Sequence, residues 1–234
     1  MNNKIRIVFF LVLFFQVALA QEKMDSVFAH LNLTFRDKPL ELNKEYVSEN
    51  KDTLQLTGFK FYISNLKLEY ADKTTYSEPD SYYLIDIENP NSCKIPIEKT
   101  TGKTISKVSF SVGIDSLTSV SGALEGDLDP TKGMYWAWQS GYINFKMEGT
   151  SPICETRKHK FQFHLGGYMK PFYAMQSITL PISLVEDNTV QINFNIAPIF
   201  NSISLKDTYS IMIPCREALE LSKIVAKLFS IHAH

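Results

Sequence analysis

The chain has 234 residues and a mass of 26.7 kDa, which is enough for one large domain or two small ones. Its 24 basic and 25 acidic side chains give a net charge of −1, too weak and too mixed to indicate binding to nucleic acid or to an anionic membrane. A charged content of only 21% beside 12% aromatic residues excludes intrinsic disorder, so a folded globular protein is expected.

The first 20 residues have the layout of a secretory signal peptide. Two basic residues precede an almost unbroken apolar run over residues 7–19, which ends in a small-x-small motif. We therefore expect cleavage between Ala20 and Gln21, export to the periplasm or the exterior, and a single mature domain over residues 21–234. No later apolar run approaches the ~20 residues needed to span a bilayer, so the mature chain should have no transmembrane span.

Apolar and polar residues alternate with period two along most of the mature chain, which predicts half-buried strands. The long run over residues 53–70 changes parity at Ser64-Asn65, which predicts a bulge or a bend between two sheets. Pro181 cannot donate a hydrogen bond to a ladder, so its strand is expected at a sheet edge. Pro181 lies in the run 178–184, and the other alternating runs are 107–114, 143–148, 160–165 and 191–196.

Only the tail has helical spacing. Leu221, Ile224, Val225 and Leu228 follow the i, i+3, i+4, i+7 pattern, which predicts a helix over residues 216–230. About nine strands followed by one helix predict an all-β fold, namely an antiparallel β-sandwich or open barrel with one C-terminal helix.

Three cysteines remain after the leader: Cys93, Cys154 and Cys215. Export permits disulfides, and an odd count allows at most one intramolecular pair. Cys154 and Cys215 both lie beside prolines in predicted loops, so we expect these two to form a bridge. Cys93 enters an apolar stretch and is expected to be a buried thiol.

The segment from residue 113 to 149 differs from ordinary sandwich sequence because it combines an acidic loop with an aromatic cluster. It contains both tryptophans of the chain, Trp136 and Trp138, whose spacing would place the two indoles on one face of a strand. A hydrophobic core corner explains such a cluster. A redox or ligand-binding platform explains it too, because electron-rich aromatic rings can stack on a partner or be oxidised.

The acidic loop also allows a structural calcium clamp, since carboxylate oxygens are the ligands that Ca²⁺ prefers. The candidate ligands are Asp115, Asp127 and Asp129. Their spacing is not that of an EF-hand loop, and Asp-Pro also simply forms turns, so both interpretations stay open.

Six stretches of the mature chain carry a family resemblance. They are FKFYISNLKL (59–68), YYLIDIENP (82–90), SFSVGIDSL (109–117), SGALEGDLDPTKGMYWAWQSGYINFKMEG (121–149), FHLGGY (163–168) and IMIPCREALELSKIVAKLFSIH (211–232). Together they resemble the MbnP-like family of exported copper-binding proteins. The long block that joins the aspartate loop to the Trp-x-Trp motif is the most specific of these matches.

The resemblance implies a periplasmic copper-binding protein whose partner is a di-haem cytochrome c peroxidase-like (MbnH-type) protein. Such a partner oxidises a family tryptophan to kynurenine, whose aniline nitrogen and carbonyl can join histidines as copper ligands. Trp136 and Trp138 are the residues that can match this tryptophan, and the sequence does not distinguish between them.

The resemblance also implies histidine ligands, and imidazole is a suitable ligand for Cu(II). His164 matches the histidine of the family's His-(Ile/Leu)-Gly-Gly motif. His30 is the second candidate because family members carry a histidine in the first strand, ahead of a Pro-Leu pair that matches Pro39-Leu40 here.

An enzyme is not expected, because the sequence contains no nucleophile elbow, no HExxH motif and no phosphate-binding glycine loop. The leading hypothesis is an exported copper-binding protein with a tryptophan that its partner oxidises to kynurenine. The alternative is an exported β-sandwich binding or interaction module without a metal, for example one that recognises a glycan with its aromatic cluster.

Overall fold

The computed structural model describes residues 24–139, 141–182 and 188–231, so the predicted signal peptide and its cleavage site lie outside the described residues. The α-helices in these ranges are α1 (Ser116–Val120), α2 (Ile199–Ser202) and α3 (Arg216–Ala226). Short 3-10 helices are formed at Pro90–Cys93, Gly126–Leu128, Pro130–Lys132 and Arg157–His159. The strands are β1 (Met24–Phe35), β2 (Lys38–Pro39), β3 (Glu45–Val47), β4 (Thr53–Tyr70), β5 (Thr75–Ser77), β6 (Tyr82–Asp86), β7 (Lys94–Thr100), β8 (Ile105–Val112), β9 (Tyr135–Trp136), β10 (Gly141–Thr150), β11 (Lys160–Gly166), β12 (Gln176–Pro181), β13 (Thr189–Asn195), β14 (Ser210–Ile211) and β15 (Phe229–Ile231).

Two sheets pack against each other around one main core. The small sheet has the order β15-β13-β1-β2, with β7 also paired to β1, and the large sheet has the order β12-β8-β4-β10-β11-β14. Across the core, the rings of Phe61 and Phe145 in the large sheet lie 5.2 and 6.4 Å from that of Phe194 in the small sheet. The prediction of an all-β sandwich or open barrel is confirmed, and β12, which ends at Pro181, lies at a sheet edge as expected.

The long strand β4 is the spine of the large sheet. It pairs with β10 along its first half and with β8 along its second half. The register with β8 shifts between Ser64 and Lys67, and Asn65 has a φ of +52°, a conformation that Asn tolerates better than most residues. This bulge explains the change of parity in the sequence, because it lets Phe61 and Leu68 face the same core.

Two pairings depart from the purely antiparallel arrangement that the sequence predicted. β1 pairs in parallel with β13, and β11 pairs in parallel with β14. A parallel partner needs a long connection, and here β1 and β13 come from near the two ends of the chain. Period-two alternation assigns residues to faces but carries no information on strand direction, so the sequence could not separate the two cases.

The tail is a shorter helix than predicted and ends in a strand. α3 stops at Ala226, with Leu221 and Val225 buried as the spacing predicted. The chain then continues as β15, which pairs with β13 and stacks Phe229 on Phe194 at 4.1 Å between ring centroids. Burial of this aromatic pair against the small sheet overrides the helical pattern. None of the helices in the described ranges is long and apolar enough to cross a membrane.

A second, smaller core covers the outward face of the large sheet. It forms where the segment of residues 113–139 folds back over β4, β6 and β10. Its buried members are Tyr62, Leu84, Ile114, Leu128, Met134, Trp136, Tyr142 and Ile143. The aromatic segment is therefore a lid over one patch of the sheet, and that patch holds the candidate site.

Candidate functional site

The aromatic segment is fastened to the large sheet by a short hairpin and by a buried tyrosine. β9 pairs with the start of β10, so that Trp136 lies opposite Gly141. The hydroxyl of Tyr142 donates to the carbonyl of Leu128 at 2.9 Å, which ties the preceding loop to β10. These contacts fix the position of Trp136 over the sheet.

Trp136 is buried, with 6% of its surface exposed, and its ring lies directly over Gly166 at the end of β11. A Cβ built on Gly166 would lie 2.6 Å from Cζ3 of Trp136 and 2.8 Å from the carbonyl oxygen of Tyr142. Real Cβ atoms essentially never approach other atoms so closely, so only glycine admits the indole here.

Trp138 differs sharply from Trp136, since 63% of its surface is exposed. The expectation that both indoles share one strand face is wrong, because β9 ends at Trp136 and a turn follows, in which the N–H of Gln139 donates to the carbonyl of Trp136 at 3.2 Å. The two indole rings nevertheless remain in contact, with centroids 5.7 Å apart and planes inclined by 44°.

His164 lies on the outward face of β11, as the alternation predicted, between Phe163 and Leu165, which point into the main core. It is not an exposed surface residue, however, because only 7% of it is accessible and its Nε2 lies 2.7 Å from Oε1 of Glu148. Residues two apart on a strand share a face, so His164 lies next to Gly166. The structure thus brings His164 and Trp136 to one patch of the sheet.

Glu148 on β10 holds the imidazole of His164 and is itself held by neighbouring side chains. Nε2 of Gln162 donates to its Oε1 at 3.4 Å, and Nζ of Lys146 lies 3.7 Å from the same oxygen. The hydrogen bond with His164, together with the charge of Lys146, holds the pKa of Glu148 at about 2, against 4.5 normally, although partial burial opposes this shift. Glu148 is therefore a carboxylate at neutral pH and orients the imidazole.

His30 is not brought to this site. It lies in β1 of the small sheet, where its Nδ1 is 3.0 Å from Oε1 of Gln191 on β13. Its neighbours Ala29 and Leu31 are buried in the main core, so His30 points outward from the small sheet. His164 points outward from the large sheet, and the core separates the two imidazoles.

The three aspartates predicted as a calcium clamp are not gathered either. Two of them cap short helical turns, Asp115 at α1 and Asp129 at residues 130–132, so the turn-forming alternative describes their local role. Over the described ranges, no group of three or more His, Cys, Asp or Glu side chains is placed to hold a metal ion. The hydrogen-bond donors are Thr118 and Tyr82 to Asp115, Leu84 and Lys132 to Asp127, and Thr131 to Asp129.

The predicted bridge between Cys154 and Cys215 is not formed, because all three cysteines are free thiols. Cys154 is fully buried beyond the end of β10, whereas Cys215 caps α3, with its Sγ accepting a hydrogen bond from the N–H of Ala218 at 3.4 Å. Neighbouring prolines mark both positions as loop residues but do not determine the distance between them. Cys93 is a buried thiol, as predicted.

The family model of MbnP matches residues 25–213, well over half of the chain. The chain belongs to the MbnP family. Among solved structures, MbnP from Methylosinus trichosporium has the same fold, with a TM-score of 0.60 and 14% sequence identity over 79% of this chain and 80% of that one. At this identity the likeness shows the fold alone. No curated protein sequence matches the chain.

In this MbnP-family chain, the sequence reasoning missed the polar residues that surround His164. Lys146 and Glu148 alternate with buried Phe145 and Met147, so their outward orientation could have been read from the sequence. The register of β10 against β11, which sets Lys146 opposite His164, could not. A shift of one residue would have exchanged the two faces of β10.

Proposed function

We propose that this MbnP-family protein is exported to the periplasm and binds Cu(II), with His164 as the imidazole ligand. We further propose that Trp136 is the tryptophan that a di-haem peroxidase of the MbnH type oxidises to kynurenine. The observation that carries the proposal is that the indole of Trp136 lies over Gly166, beside His164 on one strand face. On this view the protein is a binding protein and a substrate of its partner, and is not itself an enzyme.

The side chains at this site are of the types that bind copper in proteins. Imidazole is a good ligand for Cu(II), and metal-bound histidines commonly use their second ring nitrogen to bind a carboxylate. The contact between Nε2 of His164 and Glu148 has this form and leaves Nδ1 as the nitrogen for a metal.

The donor set is incomplete before modification, because an intact indole offers only an N–H donor and is a poor ligand. Opening the indole of Trp136 would place an aniline nitrogen and a carbonyl oxygen beside His164. Trp138 is the weaker candidate for modification because its side chain is exposed to solvent at the rim of the site. The unmodified protein should therefore bind copper weakly, and the modified protein should bind it more tightly.

A titration of the mature protein with Cu(II), before and after treatment with the peroxidase and hydrogen peroxide, tests the proposal. Tryptic mapping of the peptide that carries Trp136 should show a gain of about 4 Da after treatment, the mass change from tryptophan to kynurenine. His164→Ala should abolish most copper binding, whereas the matched control His30→Ala should leave it intact. Copper binding by His164→Ala that equals the parent's would place the metal elsewhere and refute the assignment.

A second candidate function is a binding or interaction module without a metal. It is favoured by exposed apolar side chains on α1, in the loop that follows it and in the loop after β11. These side chains are Leu117, Val120, Leu124 and Met169. In such a module a ligand could not stack on both indole rings, because Trp136 is buried. A protein that the peroxidase leaves unmodified, and that binds no copper even after this treatment, would favour this candidate.

A further inference from the structure

The two tryptophan rings are in contact, but Trp136 is buried and Trp138 is exposed to solvent. Trp136 is covered by Gly166 on the sheet side and belongs to the second core, with 6% of its surface exposed. Trp138 has 63% of its surface exposed, and its ring centroid lies 5.7 Å from that of Trp136. An oxidant in another protein can therefore reach Trp138 directly, but reaches Trp136 only across intervening atoms.

Contact between the two rings provides a path for electrons. Indole is among the most easily oxidised side chains, and electron transfer between two rings in contact is fast compared with transfer through saturated groups. Removing an electron from Trp138 leaves a radical that the neighbouring indole can reduce. Because Trp136 is the better protected ring, its oxidation by a macromolecular partner should pass through Trp138.

We propose that Trp138 is the electron-transfer residue for the modification of Trp136, an inference that rests on the proposed function. Trp138 gives an electron to the oxidised haem of the partner, regains one from Trp136, and ends the cycle unchanged. Overall, tryptophan and two molecules of hydrogen peroxide give N-formylkynurenine and two of water, with cleavage of the C2–C3 bond of the indole. Hydrolysis then releases formate and leaves kynurenine at position 136.

The surroundings of Trp138 allow another protein to come close. The hydroxyl of Tyr168 donates to the carbonyl of Gln139 at 3.4 Å, and the hydroxyl of Ser116 donates to the carbonyl of Tyr168. These bonds tie α1 and the loop after β11 to the residue that follows Trp138, and the two segments carry the exposed apolar side chains of Leu117 and Met169. A partner surface can cover apolar side chains without desolvating charges, so a haem can approach the exposed indole.

Two variants of Trp138 separate an electron-transfer role from a packing role. Phenylalanine keeps an aromatic ring but cannot be oxidised by a haem peroxidase, whereas the phenol of tyrosine can. With the peroxidase and hydrogen peroxide, Trp138→Phe should convert Trp136 at least about tenfold more slowly than the parent, and Trp138→Tyr should retain most of the rate. The readout is the fraction of the Trp136 peptide that carries the kynurenine mass.

Leu117→Ala is the control for partner contact, because it changes the apolar surroundings without altering a redox-active ring. Its rate of conversion should lie closer to that of the parent than to that of Trp138→Phe. Conversion of Trp138→Phe at the parent's rate would overturn the proposal. Equal slowing in Trp138→Phe and Trp138→Tyr would also overturn it, since that pattern indicates packing or docking.

A photochemical oxidant tests the relay without the peroxidase, so that failure of the proposed function can be distinguished from failure of the relay. A photogenerated ruthenium(III) tris-bipyridine complex oxidises exposed aromatic side chains in one-electron steps. Oxidation products at Trp136 should form in the parent and in Trp138→Tyr but fall at least about tenfold in Trp138→Phe. Equal yields in all three proteins would refute the relay, whereas a parent that the peroxidase leaves unmodified would refute the proposed function alone.

Discussion

Replacing Glu148 by Gln should lower stability at neutral pH and make the protein less sensitive to acid. Glutamine has nearly the same shape, and its amide oxygen can still accept a hydrogen bond from Nε2 of His164. What it lacks is the negative charge, which the hydrogen bond with His164 and the charge of Lys146 stabilise in the folded protein. The variant therefore isolates the electrostatic part of the contact.

The sign and size of the effect follow from the pKa of Glu148. In the folded protein this pKa is about 2, below the usual 4.5, so the carboxylate contributes its full stability above pH 4.5 and loses it as the pH falls towards 2. A shift of this size corresponds to about 3 kcal/mol at about 1.36 kcal/mol per pKa unit. Solvent reaches 28% of the side chain and screens its charge, which reduces the expected loss to about 1–2 kcal/mol.

Urea unfolding of the parent and Glu148→Gln, followed by tryptophan fluorescence between pH 7 and pH 2, measures this directly. The difference in unfolding free energy should be largest at pH 7, should shrink as the pH falls below 4.5, and should be mostly lost at pH 2. Glu45→Gln, at an exposed position in β3, is the matched control and should behave like the parent at every pH. A difference between parent and Glu148→Gln that stays constant from pH 7 to pH 2 would refute the electrostatic explanation.

Two substitutions test the packing, and a count of free thiols tests the state of the cysteines. Gly166→Ala should displace Trp136, shift its emission to longer wavelength and lower the unfolding free energy by about 1–3 kcal/mol, because the added Cβ would lie 2.6 Å from the ring. Phe229→Ala should cost about 3–5 kcal/mol in urea unfolding, since it removes a buried ring stacked on Phe194. Alkylation without reductant should find three free thiols after unfolding, and in the folded protein Cys215, the least buried, should react first.

Each substitution has a matched control, and each of these predictions has a result that would contradict it. Gly58→Ala, whose added Cβ comes no closer than 3.6 Å to another group, should leave the emission unchanged. An unshifted emission maximum in Gly166→Ala would mean that Trp136 does not rest on this glycine. Ser230→Ala, beside Phe229 but exposed, should cost little, and an equal cost for both variants would contradict the packing of the tail. If only one free thiol is found, a disulfide has formed, as the sequence predicted for Cys154 and Cys215.

The faces of the strands were predictable from the sequence because side chains alternate strictly along a strand. His164 was correctly placed on the outward face of β11, and the parity change in β4 correctly predicted a bulge near Asn65. Pro181 correctly predicted an edge, since a residue without an N–H cannot sit inside a ladder. The Trp-x-Trp block identified the family, because a long motif is specific in a way that alternation is not.

Tertiary structure alone decided which of these residues meet. Alternation does not give strand partners or direction, so the parallel pairing of β1 with β13 and the separation of His30 from His164 could not be read from the sequence. Burial on the outward face depends on a distant segment folding over it. That segment seals Trp136 against Gly166 and leaves Trp138 in solvent, although the two tryptophans are two residues apart in the chain.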